Sequence, residues 1–387
     1  MFRLGYVSTY PPTHCGVAEY TRFLARSLKT IQPKIGVIVF SDLGEEAGSR
    51  FDGEIMVRPA FISGGSDDYR RLLDELSAVN GVDILHVQHE YGIFGRHDKI
   101  LDACLEAKEE RLVKKLVFTL HTVYHPSTNI LEVLEFQRRL KLVDTIVVHS
   151  YLMEFELQNQ LIDPKLIRRI PHGTLLNPYL DEDRKALAES LGLDCEKLRG
   201  LILSTVGFLR KDKGLDLLAE AVNGLEHIRE NFTLLIAGEK RIMGPEDEKM
   251  IREIEEEAEK LNIIFFDKYL SDDEILEITA LSDLIILPYK DLIGKYSVSG
   301  ILHLSMGSFK PIIGTRVPRL LELYQFSPRI TVTPTDPKEL SRMIRWCMRN
   351  YDYVVAYMSS LYSYAVRTQW IRMARRHLSL YRELLIS

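Results

Sequence analysis

Cysteine is scarce in this sequence, and no cysteine lies close to another. The four cysteines, Cys15, Cys104, Cys195 and Cys347, form no C-x-x-C pair. This spacing argues against a zinc ribbon and against a disulfide framework. It is typical of a protein kept in a reducing compartment, so we expect a cytoplasmic location.

Long apolar runs and an excess of positive charge are also absent from the sequence. No apolar stretch reaches the roughly 18 residues that a membrane-spanning helix needs. The chain begins directly with a predicted strand, Phe2–Ser8, and lacks the basic start and apolar core of a signal peptide. The formal net charge of −5 gives no reason to expect a nucleic-acid partner. We therefore expect neither a transmembrane segment nor binding to nucleic acid.

Strand and helix patterns alternate along the 387 residues, which is typical of parallel α/β architecture. A stretch rich in proline and glycine near Ile170–Pro178 separates two such series and is interpreted as a linker. The sequence predicts two domains, residues 1–172 and 173–367, followed by a helical tail. No G-x-G-x-x-G motif is present, so a nicotinamide site is not supported. Strands are predicted at 2–8, 34–40, 84–88, 116–121, 145–149, 201–204, 232–238, 263–266, 283–289 and 310–315.

The loop Thr205–Gly214 is the strongest candidate for a ligand site. It joins a buried strand to a helix that begins at Leu215, and in an open parallel sheet ligands bind at such strand ends. Gly207 opens the loop, and Arg210 and Lys213 add two cations beside backbone amides, which suits a phosphate. The alternative interpretation is a solvated surface turn.

Two further loops have the features of an anion site at the start of a helix. Gly16 precedes Val17 at the start of the first helix and lets the backbone approach a ligand closely. A plain turn is the alternative there. Small residues before a second helix also permit close approach; this segment comprises Ser297, Val298, Ser299 and Gly300.

Polar side chains follow several predicted strands of the first domain. His121 ends one of them, where a neutral imidazole can bond a sugar hydroxyl; a structural histidine is the alternative. His86 and His89 have opposite parity on their strand, so we expect no metal site from this pair. The other strand-end candidates are His89, Glu90, Tyr91 and His125.

Taken in order, several motifs resemble those of the retaining glycosyltransferases of family 4, which have the GT-B fold. The resemblance extends over nearly the whole chain. Each motif is weak alone, and their number and order make the resemblance strong. The matching stretches are Tyr10–Pro12 with Gly16–Ala18, Ile170–Gly173, Gly207–Gly214, Leu287–Tyr289, Ser299–Gly300, Met306–Ile313 and Trp370–Tyr381.

The resemblance implies two Rossmann-like domains that face each other across a cleft, with a last helix at about 368–387 packed back on the first domain. It implies transfer of a hexose, of mannose or glucose type, from a GDP, UDP or ADP sugar, with retention of configuration. The acceptor would be a hydroxyl of a sugar, a glycan or a lipid-linked molecule. The family needs no metal and no further cofactor.

The resemblance also assigns roles to the candidates. The second domain would bind the donor, with Arg210 and Lys213 stabilising the leaving diphosphate. His121 matches the family's active-site histidine and would lie near the transferred sugar and the acceptor, so the catalytic residues would be His121, Arg210 and Lys213. The Gly16 and Val17 loop, Gly207 and the amides of residues 297–300 would assist at the donor, whereas His89, Glu90, Tyr91 and His125 would lie on the acceptor side.

One feature departs from the family pattern. The family commonly has two glutamates eight positions apart in the donor motif, and here Tyr296 and Leu304 occupy those places. Leucine cannot accept hydrogen bonds from ribose, so ribose recognition must differ or be weaker. Glu322 is a candidate for the substitute carboxylate.

Two alternative functions stay open on this evidence. One is a sugar-nucleotide-binding protein with weakened catalysis, and the other is a different GT-B enzyme, such as a glycoside phosphorylase or a nucleotide-sugar epimerase.

The tail is rich in arginine. We interpret these side chains as a solvated helix face, with peripheral contact to anionic lipid as the less favoured alternative. The arginines are Arg367, Arg372, Arg375, Arg376 and Arg382.

Overall fold

The chain forms two compact units that each combine several segments. The first unit comprises Met1–Gly173, Ile293–Val298 and Thr368–Ser387, and the second comprises Thr174–Leu292 and Ser299–Arg367. The computed structural model describes residues 2–44, 48–225, 228, 231–242, 244–258 and 262–386.

The first stretch of chain supplies nine strands and six helices among the described residues. They are β1 (Arg3–Val7), α1 (Gly16–Ile31), β2 (Gly36–Asp42), β3 (Arg50–Asp52), β4 (Ile55–Phe61), α2 (Arg70–Ala78), β5 (Val82–His89), α3 (Tyr91–Phe94), α4 (Lys99–Glu109), β6 (Val113–Leu120), β7 (Thr122–Tyr124), α5 (Leu131–Arg139), β8 (Thr145–Val148), α6 (Tyr151–Asn159) and β9 (Ile167–Arg169).

The rest of the chain continues the alternation. Its elements are α7 (Arg184–Ser190), β10 (Leu201–Val206), α8 (Leu215–Asn223), β11 (Phe232–Ala237), α9 (Pro245–Ala258), β12 (Ile263–Phe266), α10 (Asp272–Leu281), β13 (Leu284–Leu287), β14 (Lys295–Ser297), α11 (Gly300–Ser305), β15 (Ile312–Thr315), α12 (Leu321–Phe326), β16 (Thr331–Val332), α13 (Pro337–Arg349), α14 (Tyr351–Tyr357), α15 (Ser359–Arg367) and α16 (Trp370–Ile386).

Each unit is built on a mainly parallel sheet. The strand order in the first is β3-β4-β2-β1-β5-β6-β8-β9, and all neighbours are parallel except β3 and β4. The second sheet has the order β12-β11-β10-β13-β15-β16 and is parallel throughout. Its central strands are apolar and buried because helices cover both faces of such a sheet. The predicted α/β fold class is confirmed.

The short strand β14 was not predicted from the sequence. It pairs antiparallel with β7, with Tyr296 opposite Val123, and so belongs to the first unit. The sequence suggested only a loop leading into a helix here. Three residues carry too little alternation to identify a strand, and their pairing partner lies about 170 positions away.

The last helix, α16, packs against α1 within the first unit and is also bonded to the sheet. The Tyr381 hydroxyl lies 2.9 Å from the hydroxyl of Tyr6 and 2.7 Å from Nδ1 of His86. The other ring nitrogen of His86 lies 2.7 Å from the hydroxyl of Thr119. All four side chains are buried, so this chain of hydrogen bonds fixes the helix to strands β1, β5 and β6.

This network leads to a test of the fold. We expect Tyr381→Phe to lower the free energy of unfolding by about 1–3 kcal/mol, because it leaves buried polar atoms of Tyr6 and His86 without their partner. Urea unfolding followed by circular dichroism measures the change. Tyr353→Phe is the control, since its side chain is 69% exposed and should change stability little. Equal effects of the two substitutions would contradict this account of how α16 is held.

Candidate functional site

The basic loop of the second unit follows β10 and ends at α8. Its backbone depends on two glycines. Gly207 has φ +116° and donates its amide hydrogen to the Ala237 carbonyl over 3.0 Å. Gly214 has φ +67°, and a Cβ at that position would lie 1.8 Å from the carbonyl oxygen of Pro288. A side chain at either position would be strained, so the glycines fix the path of the loop.

Asp212 is the centre of the charged contacts in this loop. Its carboxylate accepts a hydrogen bond of 2.9 Å from Arg210 and one of 2.8 Å from Arg319. Burial alone would raise the pKa of Asp212, but the cations of Lys213, Arg210 and Arg319 outweigh burial and lower it to about 2. Asp212 is therefore ionised at neutral pH and holds both guanidinium groups in place.

The buried ring of Tyr289 lies beneath the cations. Lys213 Nζ is 4.0 Å from its centroid, and Arg319 Cζ is 5.0 Å from it. Arg319 also pairs with Asp291 and is itself only 12% exposed. Lys213 and Arg319 thus lie against one aromatic ring. With Arg210, Asp212 and Asp291 they form a cluster of three cations and two carboxylates, whose balance is positive when Lys213 is protonated.

Lys213 differs from the two arginines because its charge depends on pH near neutrality. Burial lowers its pKa to about 7, and Arg319 adds to the effect through like-charge repulsion. Asp212 acts in the opposite direction. An anion bound beside Lys213 would favour its protonated form.

Arg319, Asp212 and Asp291 were not predicted as site residues. The structure brings Arg319 to Asp212 although 107 positions separate them. One signal was available in the sequence: Arg319 follows β15, so it lies at a carboxyl strand end, where parallel sheets place ligands.

The cluster leads to a test of stability. We expect Arg319→Leu to lower the free energy of unfolding by about 3 kcal/mol or more, because it leaves Asp291, 5% exposed, as an unpaired buried charge. Arg316→Leu is the control. That arginine is 51% exposed and pairs with Glu339 over 3.1 Å. Its loss should therefore lower the free energy of unfolding by about 1 kcal/mol or less. If both variants unfold at the same urea concentration, Arg319 does not hold the cluster together.

The second anion candidate is divided between the two units. Ser297 and Val298 belong to the first unit, whereas Ser299 and Gly300 belong to the second. The Ser299 hydroxyl caps α11 by accepting the amide hydrogen of Leu302 over 3.2 Å, and it lies 3.4 Å from the hydroxyl of Tyr289. Within the second unit, Ser299 therefore links the start of α11 to the ring beneath the cations.

Glu322 lies in the interior of the second unit. It is 3% exposed, and its Oε1 is 3.9 Å from Nε2 of the buried His303. Burial raises the pKa of Glu322 to about 7. This placement argues against the predicted contact with ribose, because the carboxylate faces a core histidine.

His121 of the first unit lies at the end of β6. Its Nε2 is 3.1 Å from the amide oxygen of Gln88, and its ring packs edge-on against Tyr20. Burial lowers the pKa of His121 well below its ordinary value, and the nearby His149 and His172 lower it further. The imidazole is therefore neutral at pH 7, as expected for a residue that bonds a hydroxyl.

Three buried polar atoms surround His121. Among the residues that the structure describes, Tyr20 Oη, Gln88 Nε2 and His149 Nε2 have no hydrogen-bond partner. Such atoms are uncommon in folded proteins and mark places where a ligand or water can bond. None of these three residues was predicted as a site residue, although Gln88 and His149 lie at the ends of β5 and β8.

The four acceptor-side candidates divide into two groups. His89 is fully buried, and its ring is stacked on Phe136 with centroids 4.2 Å apart, which argues against contact with an acceptor. Tyr91 is also buried and donates its hydroxyl to Gln137 over 3.2 Å. The other two candidates, Glu90 and His125, are only partly buried.

Glu90 and His125 have local bonding partners. Glu90 caps α3 and accepts a 2.7 Å hydrogen bond from the hydroxyl of Thr122. His125 accepts the amide hydrogen of Ser127 over 3.0 Å and begins the 3-10 turn Pro126–Thr128. Both side chains therefore have a structural role, whether or not they also contact a ligand.

Gly16 is the first residue of α1, as the sequence suggests. A Cβ at Gly16 would meet no atom of the described residues within 4 Å. Packing within the protein therefore does not require glycine at this position. Val17, which follows it, is buried in the core of the first unit.

Comparison with known protein families supports the reading of the second unit. Residues 200–350 match the family described as "Glycosyl transferases group 1". The predicted enzyme class, glycosyltransferase, is confirmed by this match. No curated protein sequence shows significant similarity to the chain.

Solved structures confirm the GT-B fold. Sucrose-phosphate synthase from Thermosynechococcus elongatus is 16% identical, with full coverage of both chains and a TM-score of 0.76. A glycosyltransferase from Rickettsia africae is 18% identical, covering 99% of this chain and 98% of the other, with a TM-score of 0.73. Anabaena HepE in complex with UDP and glucose is 14% identical, covering 99% and 100%, with a TM-score of 0.72.

Within the described ranges, no helix is both long enough and apolar enough to cross a membrane.

Proposed function

We propose that this protein is a retaining glycosyltransferase that moves a hexose from a nucleotide-diphosphate sugar to a hydroxyl acceptor. The observation that carries the proposal is the cluster of Arg210, Lys213 and Arg319 at the carboxyl ends of parallel strands in the second unit. That edge of a parallel sheet is where nucleotide ligands bind. The match of residues 200–350 to a glycosyltransferase family covers this cluster.

The chemistry of sugar transfer explains why cations are needed. Negative charge builds on the diphosphate as the bond to the sugar breaks, and fixed positive groups lower the energy of that state. Arg210 and Lys213 supply this charge in the proposal. Asp212 and Asp291 hold Arg319, which keeps the loop in one arrangement before the donor arrives.

The first unit offers neutral hydrogen-bonding groups. His121 is uncharged at pH 7, and the unpartnered atoms of Tyr20, Gln88 and His149 lie around it. Neutral donors and acceptors suit sugar hydroxyls, and charged groups suit phosphates. We infer that this histidine cluster contacts the transferred sugar or the acceptor.

The donor base stays open within the proposal. HepE is described in complex with UDP-glucose, and an alpha,alpha-trehalose-phosphate synthase from Burkholderia vietnamiensis is described as UDP-forming. These neighbours make a uracil nucleotide the first donor to test. GDP and ADP sugars are the others.

A sugar-nucleotide-binding protein without transfer activity is the second candidate. Tyr296 and Leu304 replace the two carboxylates of the related donor motif, and Glu322 faces the core histidine instead. This candidate predicts a nucleotide-induced rise in melting temperature with no sugar transfer or hydrolysis. Product formation from the bound donor separates the two.

A melting panel tests the donor site. UDP, GDP and ADP, and then their sugars, are added to the purified protein. A true donor nucleotide at 100 times its Kd should stabilise the protein by about 2.7 kcal/mol. Arg210→Ala and Lys213→Ala should remove most of this stabilisation and of the transfer activity. Lys249→Ala is the control, since that lysine is 77% exposed on α9.

The panel can also refute the proposal. If no nucleotide raises the melting temperature, the protein is not a transferase that uses nucleotide sugars. If Arg210→Ala and Lys213→Ala both respond like Lys249→Ala, the basic loop is not the donor site.

Because of Lys213, the proposed binding of the nucleotide sugar should depend on pH. With a pKa of about 7, it loses its charge as the pH rises, so the Kd for the nucleotide sugar should increase about tenfold between pH 6 and pH 8. A nucleotide sugar is the probe, because its diphosphate keeps the same charge across this range. Calorimetric titration at several pH values measures the Kd.

Lys213→Arg is the matched variant for this experiment. Arginine keeps its charge at all these pH values, so its Kd should change little between pH 6 and pH 8. A wild-type Kd that is independent of pH would show that Lys213 does not contact the diphosphate.

A further inference from the structure

The second unit has a cavity that shares no residue with the basic loop. Its volume is about 460 Å³, within the range of pockets that bind small molecules. It lies between α13, α14 and the 3-10 turn Pro328–Ile330. The lining residues are Arg329, Glu339, Arg342, Met343, Trp346 and Tyr357. We call this cavity the Trp346 pocket.

Two aromatic rings form part of the pocket wall. The rings of Trp346 and Tyr357 are nearly parallel, with an interplanar angle of 8° and centroids 6.3 Å apart. Trp346 is 39% exposed, although tryptophan is usually well buried in a folded domain. Trp346 therefore gives the pocket a partly exposed aromatic wall.

Charged side chains surround these rings. Arg329 donates a 3.0 Å hydrogen bond to the Tyr357 hydroxyl, and its Cζ lies 5.1 Å from the ring centroid. Arg342 is 68% exposed, and its ion pair with Asp336 is long, at 4.0 Å. Both guanidinium groups can accept a further anionic partner.

The acidic residue of the pocket is already engaged. Glu339 accepts hydrogen bonds from Arg316 over 3.1 Å and from the Thr333 amide over 2.8 Å. The other charged residues of the lining are the two arginines Arg329 and Arg342, although the whole chain carries a net charge of −5. The pocket is thus a locally positive site on an acidic protein.

We propose that the Trp346 pocket binds an acidic saccharide. The C–H face of a sugar ring packs on flat aromatic surfaces, and its hydroxyls bond to polar groups at the edge. A carboxylate or phosphate on the sugar would pair with Arg342 and Arg329, because a guanidinium holds such anions with two parallel hydrogen bonds. The choice of a saccharide as occupant rests on the proposed function, since the enzyme class handles sugars.

Binding of an acceptor at the Trp346 pocket would act on sugar transfer by raising the local concentration of that acceptor. A chain that is held at the Trp346 pocket while another part of it reaches the reacting groups has a raised local concentration there. The pocket would then lower the KM for a long acidic acceptor and leave the donor Kd unchanged.

The sequence provides a direct probe of this site. The chain has two tryptophans, Trp346 and the buried Trp370. Trp370→Phe leaves Trp346 as the single tryptophan, so its fluorescence reports on the pocket. Trigalacturonate is the acidic trisaccharide, and maltotriose is a neutral trisaccharide of the same length. Calorimetry on the wild-type protein repeats the measurement if Trp370→Phe does not fold.

We expect trigalacturonate to change the Trp346 emission in a saturable way and maltotriose to bind at least tenfold more weakly. Introduced as a single substitution, with Trp370 kept, Trp346→Ala should abolish binding. Arg342→Ala should weaken it about tenfold, and added salt should weaken it because the contact is ionic. Arg375→Ala, an exposed arginine of the first unit, is the control and should leave the Kd unchanged.

Three results would overturn the proposal. They are the absence of any binding by trigalacturonate, equal binding of the two trisaccharides, and displacement of trigalacturonate by UDP, which would make the pocket a nucleotide site. The titration needs no donor and no turnover. A failed melting panel together with trigalacturonate binding would therefore refute the proposed transfer reaction and leave the pocket as a saccharide site.

Discussion

The ion pair network centred on Asp212 is the interaction on which the second unit's site depends. One carboxylate bonds to both Arg210 and Arg319, and Arg319 is held again by Asp291. Without these anions, the three cations Arg210, Lys213 and Arg319 would repel one another in a poorly solvated place. The carboxylates therefore make a dense cationic site compatible with a folded protein, and in the proposed function the excess charge is available for the diphosphate of the donor.

Much of this arrangement could be predicted from the sequence by one rule. Parallel strands end at the same edge of a sheet, so the polar residues after β10 and β6 were correctly singled out as lying at strand ends. Arg210 and Lys213 lie in one loop, so both could be identified from a single stretch of the sequence. Arg319 was missed because its partner Asp212 is 107 positions away, and pairing over that distance depends on the complete sheet order.

The sequence could not show which of the polar side chains are buried. His89 looks like a functional residue because it is polar and lies at a predicted strand end, and Glu322 because it is a carboxylate that could replace the missing glutamates. In the structure, Phe136 covers the ring of His89, and Glu322 faces His303 inside the second unit. Local periodicity describes one element at a time, whereas burial is decided by the element that packs against it. Charged or polar identity alone therefore does not separate ligand-binding groups from core ones.

Burial excludes water from the candidate site residues of both units, but its effect on their charge differs. Around His121, burial removes charge and leaves neutral groups, some without partners. Around Lys213, burial lowers the pKa only to about 7, because Asp212 partly offsets it. A buried histidine is held neutral, whereas a lysine beside a carboxylate stays near the point of protonation. A phosphate arriving at Lys213 would complete the charge balance, whereas a hydroxyl arriving at His121 would need only an unused hydrogen-bonding atom. In the proposed function, the division between phosphate recognition and sugar recognition thus follows from how many carboxylates accompany each buried base.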